Sequence, residues 1–181
     1  MRTVFVLVLL AAALGAATAS ATTVLYVPVR QSVAMSDLVL VGHVLNTKAV
    51  YNAEGEIVTE VSLLVEEPLK GWARPGEIFT FHAWGGSLDG TTVETVGEAR
   101  YRLGEKVLVQ LEDINGNGEL HTLGLSFGKW NVVRDDAGTP WVMRKLDDLN
   151  VVGLTESPAT RLPLDRMRQI VRGQEGGRLS F

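Results

Sequence analysis

The sequence contains no cysteine. This absence excludes disulfide bonds, thiolate nucleophiles, cysteine zinc sites and thiol redox chemistry. It also excludes a lipid-anchored lipoprotein, because no cysteine follows the apolar run near the amino terminus. The domain must therefore be held together by the burial of apolar side chains and by hydrogen bonds alone.

Clusters of basic residues are absent as well. The 17 lysines and arginines are spread among 21 acidic residues, which gives a formal net charge of −4, and removal of Arg2 with a leader would make it more negative. Proteins that bind nucleic acids neutralise phosphates with clustered lysine and arginine. The sequence therefore argues against a nucleic-acid partner, whereas its 46% of apolar residues is typical of a folded domain.

Residues 1–21 have the order of a secretory signal peptide. Arg2 precedes an apolar run over residues 4–17, and small residues follow at Ala19 and Ala21. The run is shorter than the roughly 20 apolar residues that a transmembrane helix needs. We expect cleavage after Ala21, or alternatively after Ala19, export to the periplasm, cell surface or medium, and no stable membrane anchor after cleavage. A retained amino-terminal anchor is the alternative.

Residues 22–173 predict a single β-rich domain, because this length suits one hydrophobic core. Short apolar or alternating runs separated by turn signals indicate strands, and one late segment has helical periodicity. The predicted elements are a helical turn at residues 28–36, strands from Leu38 and over residues 57–66, 78–84, 92–96, 106–111 and 119–125, a hairpin of residues 130–134 and 141–144, a helix over residues 163–173, and a frayed tail at residues 174–181. This order predicts a mainly β fold: a small OB-like Greek-key barrel with an additional hairpin and one C-terminal helix.

Four segments, residues 36–44, 64–71, 84–86 and 103–109, carry a family resemblance. They look like a group of uncharacterised bacterial exported proteins, and these resemble, more remotely, the OB-type barrels of netrin-like domains and of tissue inhibitors of metalloproteinases. The resemblance covers roughly residues 32 to 130 and implies a barrel with an extracytoplasmic binding role. In those inhibitors an N-terminal cysteine chelates the target's zinc, and this chain has no cysteine onto which that role could map.

The segment from Asp113 to Gly118 resembles the start of a calcium loop. Asp113, Asn115 and Asn117 place oxygen-bearing side chains at the first, third and fifth positions. The twelfth position is Gly124, which has no carboxylate. We interpret the segment as a hairpin turn, because Asn-Gly pairs favour such turns, and keep these three residues as weak metal candidates. No cofactor is predicted.

The three histidines, His43, His82 and His121, each lie alone in a predicted strand, without the spacing of a zinc site. Strand pairing could bring His43 near His82, but we interpret all three as satisfied or solvent-facing. Ser126 lies in a Gly-x-Ser-x-Gly segment. Because no predicted strand-turn-helix surrounds it, we interpret that segment as a bend between two strands rather than a catalytic elbow.

The candidate binding residues are Trp72 and the segment Trp84, Gly85 and Gly86, because aromatic rings contribute much of the energy at recognition surfaces. We predict that these loops, together with residues 115–118, form the recognition end of a secreted non-enzymatic binding module. Its partner would be another exported protein. The alternatives are an exported hydrolase with an atypical site near Ser126 or His82, a protease-inhibitor-like module, and an OB-fold that binds nucleic acid.

Overall fold

The computed structural model describes residues 22–153 and 158–175, so the predicted leader lies outside the described residues. The fold of the described part is mainly β, with a C-terminal helix, as predicted. The elements are, in chain order, β1 (Thr22–Leu25), α1 (Val29–Met35), β2 (Leu38–Tyr51), β3 (Ile57–Lys70), β4 (Ile78–Trp84), β5 (Gly86–Leu88), β6 (Thr91–Val93), β7 (Lys106–Asp113), β8 (Leu120–Thr122), a 3-10 helix (Leu125–Gly128), β9 (Lys129–Arg134), β10 (Pro140–Met143), β11 (Leu149–Val152), β12 (Arg161–Pro163) and α2 (Leu164–Glu175).

The main sheet has eight strands in the order β12-β10-β9-β7-β2-β3-β4-β8, and β7 also pairs with β8. Strands β2, β3, β4, β8 and β7 therefore form a closed series of pairings, which we call the five-strand circuit. Its pairs are antiparallel except β4 with β8, which are parallel and meet at His82 and His121. Two smaller sheets pair β1 with β11 and β5 with β6.

One hydrophobic cluster draws on all five strands of the circuit. Alternation along β2 directs Leu38, Leu40 and Val44 into this cluster, where they meet residues such as Phe81 and Leu111. These side chains are almost completely buried. Burial of each such side chain stabilises the fold by about 1.5–3 kcal/mol, so the shared interior is the main source of stability for a chain without disulfides.

A second cluster covers the opposite face of β2 and β7. Val39 and Val41, which alternate with the inward residues of β2, contact helices α1 and α2 and strand β9 through residues such as Trp130 and Met167. Helix α2 presents Leu164, Met167 and Val171 at helical spacing, so one face is apolar. We call this region the helix-covered side. Within the described residues no helix has the length and apolar character needed to cross a bilayer.

The predicted strand over residues 78–84 is confirmed, whereas the strand predicted over residues 57–66 continues through Pro68 to Lys70. The register between β2 and β3 shifts beside Pro68, between Val39 and Leu40. Proline has no N–H to donate to the neighbouring strand, and a bulge lets it remain in a strand because the bulged position is left unpaired. The first strand is also longer than its apolar run, because it continues to Tyr51 in a hairpin with β3.

Other predicted ends were wrong. The strand predicted over residues 92–96 ends at Val93. The strand predicted over residues 119–125 ends at Thr122, because Gly124 and Leu125 both have positive φ and lead into the 3-10 helix. The predicted hairpin between β7 and β8 and the bend before β9 are confirmed. Helix α2 passes through Gly173, where we predicted its end, and continues to Glu175. An interior glycine costs a helix only about 1 kcal/mol. The remainder of the predicted tail lies outside the described residues.

Candidate functional site

The candidate site lies where β4 ends at Trp84. The register places Trp84 opposite Val58, at the start of β3, so the end of β4 lies beside the turn that joins β2 to β3. The turn between β7 and β8 meets the same region. The backbone N–H of Ala53 donates to Glu119 Oε1 at 3.3 Å, and Asn117 Nδ2 donates to a Glu54 carboxylate oxygen at 3.2 Å. We call this region the Trp84 end.

A cavity of about 250 Å³ opens at this end, and its lining includes Trp84, Gly85 and Gly86, the candidate binding residues of the sequence analysis. The glycine at position 85 has a φ of 85°, and an added Cβ would lie 2.5 Å from the carbonyl oxygen of Val93. Only glycine therefore permits β6 to approach so closely. A further cavity of about 520 Å³ shares Trp84, Gly85 and Val93 with the first.

Glu98 is the acidic group with the most distinctive surroundings in the first cavity. Its Oε1 accepts a hydrogen bond from the backbone N–H of Ala99 at 2.8 Å, whereas its buried Oε2 has no hydrogen-bond partner among the described residues. Burial raises the pKa of Glu98 to about 7, and the backbone N–H groups of Ala99 and Trp84 oppose this with smaller lowering effects. Arg100 also lines the cavity but forms no ion pair with Glu98. A mostly buried carboxyl group without an ion pair among the described residues thus lies at the wall of the cavity.

His82, Glu119 and His121 form a second group of polar side chains beside this cavity. One donor atom from each lies within 4.8 Å of the others. The single parallel pairing of β4 with β8 sets His82 opposite His121, and Glu119 precedes His121 by two residues, so it points the same way. The two histidine rings meet edge to face with centroids 5.6 Å apart. The interpretation of His82 and His121 as isolated histidines was therefore wrong.

Trp84 joins the two parts of the site. Its ring stacks on His121 with centroids 4.2 Å apart and an interplanar angle of 14°. His121 is 1% exposed. Burial lowers the pKa of His121, the charge of His82 adds to that lowering, and Glu119, Glu54 and Glu56 oppose it. The His121 imidazole is consequently neutral at pH 7, with a lone pair on one nitrogen.

The predicted recognition end is corrected by the position of Trp72. This residue is 65% exposed, as expected, but it lies in the turn between β3 and β4, at the opposite end of β4 from Trp84. The strands of the hairpin separate the two tryptophans. His43 does not meet His82, because the two histidines pair with different positions on β3: His43 with Leu64, and His82 with Glu60. Instead His43 Nε2 contacts Glu66 at 2.9 Å.

The Asn-Gly segment uses its oxygen atoms within the turn. Asp113 accepts hydrogen bonds from the backbone N–H groups of Asn117 at 3.2 Å and Gly118 at 2.9 Å. Asn117 Oδ1 accepts from the N–H of Glu119 at 2.9 Å. Asn115 is exposed. These bonds favour the hairpin-turn interpretation, since the atoms proposed for calcium already accept from the backbone.

Ser126 lies in the 3-10 helix between β8 and β9. Its buried Oγ has no hydrogen-bond partner among the described residues, so no base or acid activates it there. Of the two remaining tryptophans, Trp130 is completely buried, and Trp141 donates from Nε1 to Asp135 at 2.9 Å. These contacts indicate structural roles for Trp130 and Trp141.

Sequence reasoning missed Glu98 and Glu119. For Glu119 a signal existed in the sequence. Glu119 and His121 are two residues apart, so they are expected to share one face of a strand, as are His82 and Trp84. Glu98 lies between two strands in a turn-rich segment, where no periodicity predicts the direction of its side chain.

Comparison of the chain with protein-family models, with curated proteins and with solved structures returns no match. The remote resemblance to netrin-like domains therefore stays a prediction. The chemistry of the Trp84 end is the remaining basis for a functional assignment.

Proposed function

We propose that the protein is an exported, non-enzymatic binding module that holds a positively charged amine in the cavity at the Trp84 end. The observation that carries this proposal is the buried carboxyl group of Glu98, which has no ion pair among the described residues and lines a cavity together with Trp84 and Tyr101. A buried carboxylate without a partner is unfavourable, and a ligand ammonium group supplies both the missing charge and a hydrogen-bond donor.

The cavity also suits an amine by shape and by its other groups. Its volume of about 250 Å³ holds a chain of a few methylene groups with one ammonium head. An aromatic ring attracts a cation over its face, and Trp84 offers the side that does not stack on His121. The hydroxyl oxygens of Ser87 and Thr92, 2.9 Å apart at the rim, provide acceptors for further N–H groups.

The proposed setting of this site is an OB-like Greek-key barrel. Strands β2, β3 and β4 are consecutive, β7 returns beside β2, and β8 pairs with both β4 and β7, which supports this assignment. Export rests on the leader pattern of residues 1–21. The proposed partner is another exported protein that presents a lysine side chain. The hydrolase and inhibitor alternatives stay predictions. The hydrolase alternative gains no support from Ser126, whose Oγ has no hydrogen-bond partner among the described residues.

Titration calorimetry with three probes tests the amine site: putrescine, a blocked lysine tripeptide, and the same tripeptide with acetyl-lysine. We expect the wild-type chain to bind an amine probe and to bind acetyl-lysine at least about tenfold more weakly, because only the ammonium pairs with Glu98. Preference for the tripeptide over putrescine would indicate a protein partner.

The variant Glu98→Gln should lose at least about tenfold in amine affinity, whereas Glu94→Gln, which removes an exposed carboxylate at the same cavity, should change it little. The proposal is wrong if neither amine binds the wild-type chain, or if Glu98→Gln binds as tightly as wild type.

A further inference from the structure

The donor atoms of the histidine and glutamate group are unusually free of partners. Among the described residues, Nδ1 of His82, both ring nitrogens of His121 and Oε2 of Glu119 are buried and make no hydrogen bond. A buried polar atom without a partner costs about 1–3 kcal/mol. Most buried polar groups in proteins are paired, so four unpaired atoms on three adjacent side chains indicate a missing ligand.

The three donors lie close enough to reach one ion. They are within 4.8 Å of one another, whereas the ligands of a tetrahedral zinc ion at about 2.1 Å lie about 3.5 Å apart. Side-chain movements of about 1 Å therefore bring them to bonding distance. Three protein donors leave one position of such an ion for water or for a group of a partner.

We infer that His82, Glu119 and His121 form a binding site for one divalent transition metal ion. Two imidazole nitrogens and one carboxylate oxygen suit zinc, copper or nickel better than calcium or magnesium, which prefer oxygen donors alone. The site is separate from the amine cavity, because its donors are not among the residues that line that cavity. The inference therefore does not depend on the proposed function.

Surrounding groups hold the ligands as a metal site requires. The N–H of Ala53 donates to Glu119 Oε1 at 3.3 Å, which fixes the carboxylate and leaves Oε2 for the metal. Trp84 stacks on the ring of His121 and restrains its orientation. Outer contacts of this kind orient metal ligands. Glu54 and Glu56 act electrostatically on His121 and add a negative potential that favours a cation.

The experiment uses the tag-free exported chain, freed of metal by chelation and then titrated with Zn²⁺ against a chromophoric chelator. We expect one Zn²⁺ per chain, and Co²⁺ substitution should give the intense visible absorption of four-coordinate cobalt with nitrogen and oxygen ligands. The ligand variants are His82→Asn and Glu119→Gln, each of which should weaken Zn²⁺ binding at least about tenfold. The variant His121→Ala is avoided because it would remove a buried ring beneath Trp84.

His43→Asn is the matched control, since His43 is a strand histidine outside the group and contacts Glu66. It should bind Zn²⁺ as the wild-type chain does, and circular dichroism should show that all variants are folded. Absence of stoichiometric binding by the wild-type chain would overturn the inference. Equal affinity in wild type and both ligand variants, or an equal loss in His43→Asn, would overturn it as well.

Discussion

Two buried polar side chains on the paired strands β7 and β8 have opposite surroundings. Gln110 on β7, on the helix-covered side, is 0% exposed, and His121 on β8, at the Trp84 end, is 1% exposed. Gln110 Nε2 donates to Ser32 Oγ at 3.1 Å, and that hydroxyl also lies 3.3 Å from Gln110 Oε1. Neither nitrogen of His121 has a partner among the described residues. The Gln110 side chain is therefore a satisfied structural group. The His121 side chain breaks the rule that buried polar atoms are hydrogen-bonded, and such exceptions are expected at binding sites.

The same difference extends to charged groups. On the helix-covered side, Lys70 donates to Val33 O at 2.8 Å near the end of α1, and Arg168 Nη2 pairs with Glu67 at 2.6 Å. At the Trp84 end, buried oxygens of Glu98 and Glu119 are unpaired. The helix-covered side has unpaired atoms too, but its Arg144 still lies over an aromatic ring, with its guanidinium carbon 3.8 Å from the Phe127 centroid. The Trp84 end is the region that accumulates unpaired ligand-type atoms.

Truncation of a side chain in the interior of the helix-covered side should be costly. Met167→Ala removes a completely buried side chain that packs with Trp130 and Val33, and should lower the free energy of unfolding by about 2–5 kcal/mol. Urea denaturation followed by tryptophan fluorescence measures the loss. Met143→Ala is the control, because Met143 is 39% exposed, and should change the free energy by less than about 1 kcal/mol. Similar losses in the two variants would refute this assignment of the core.

Removal of the partner of Gln110 should turn a satisfied site into an unsatisfied one. Ser32→Ala leaves the buried amide of Gln110 without its hydrogen bonds and should lower the free energy of unfolding by about 2 kcal/mol. Ser87→Ala, which breaks an exposed hydroxyl pair with Thr92, serves as the control and should cost under about 0.5 kcal/mol. Equal urea midpoints for wild type and Ser32→Ala would contradict the structural role of the pair.

The sequence predicts the helix-covered side better than the Trp84 end, for a physical reason. Turn signals and helical spacing are local, and they predict the hairpin of β9 and β10 and the apolar face of α2. The pairing of His82 with His121 depends on how the long segment between β4 and β8 folds back to place these strands side by side, and no local pattern encodes this. The cavity depends on the turn-rich segment around Glu98, so its surroundings follow only from the three-dimensional fold.

Glu98 should make stability depend on pH. Its pKa is raised from 4.5 in the unfolded chain to about 7 in the fold, so the folded state binds more protons between these values. The contribution of Glu98 to stability therefore falls as pH rises from about 4.5 to 7 and is constant above that range. Glu98→Gln removes this fall and should gain up to about 3 kcal/mol relative to wild type between pH 4.5 and 8.

Urea unfolding at a series of pH values tests the role of Glu98. Only the difference between Glu98→Gln and wild type is interpreted, so the titration of His121 and of the other groups common to both chains cancels. Parallel curves for the two proteins would show that Glu98 is solvated in the fold, and would remove the unpaired carboxylate on which the amine site depends.

The smallest expected effect gives the most direct test of the difference between the two regions. It compares the sign, rather than the size, of the change in the free energy of unfolding in two variants. Gln110→Met keeps the shape of a bonded side chain and loses its hydrogen bonds, so it should destabilise the fold by about 1 kcal/mol. His121→Phe keeps a flat ring beneath Trp84 and replaces nitrogens that have no partner among the described residues, so in chelator it should leave stability unchanged or raise it by up to about 1 kcal/mol. Added Zn²⁺ should stabilise wild type and leave His121→Phe unaffected. A destabilised His121→Phe in chelator would mean that His121 is as satisfied as Gln110, and the difference between the two sides would disappear.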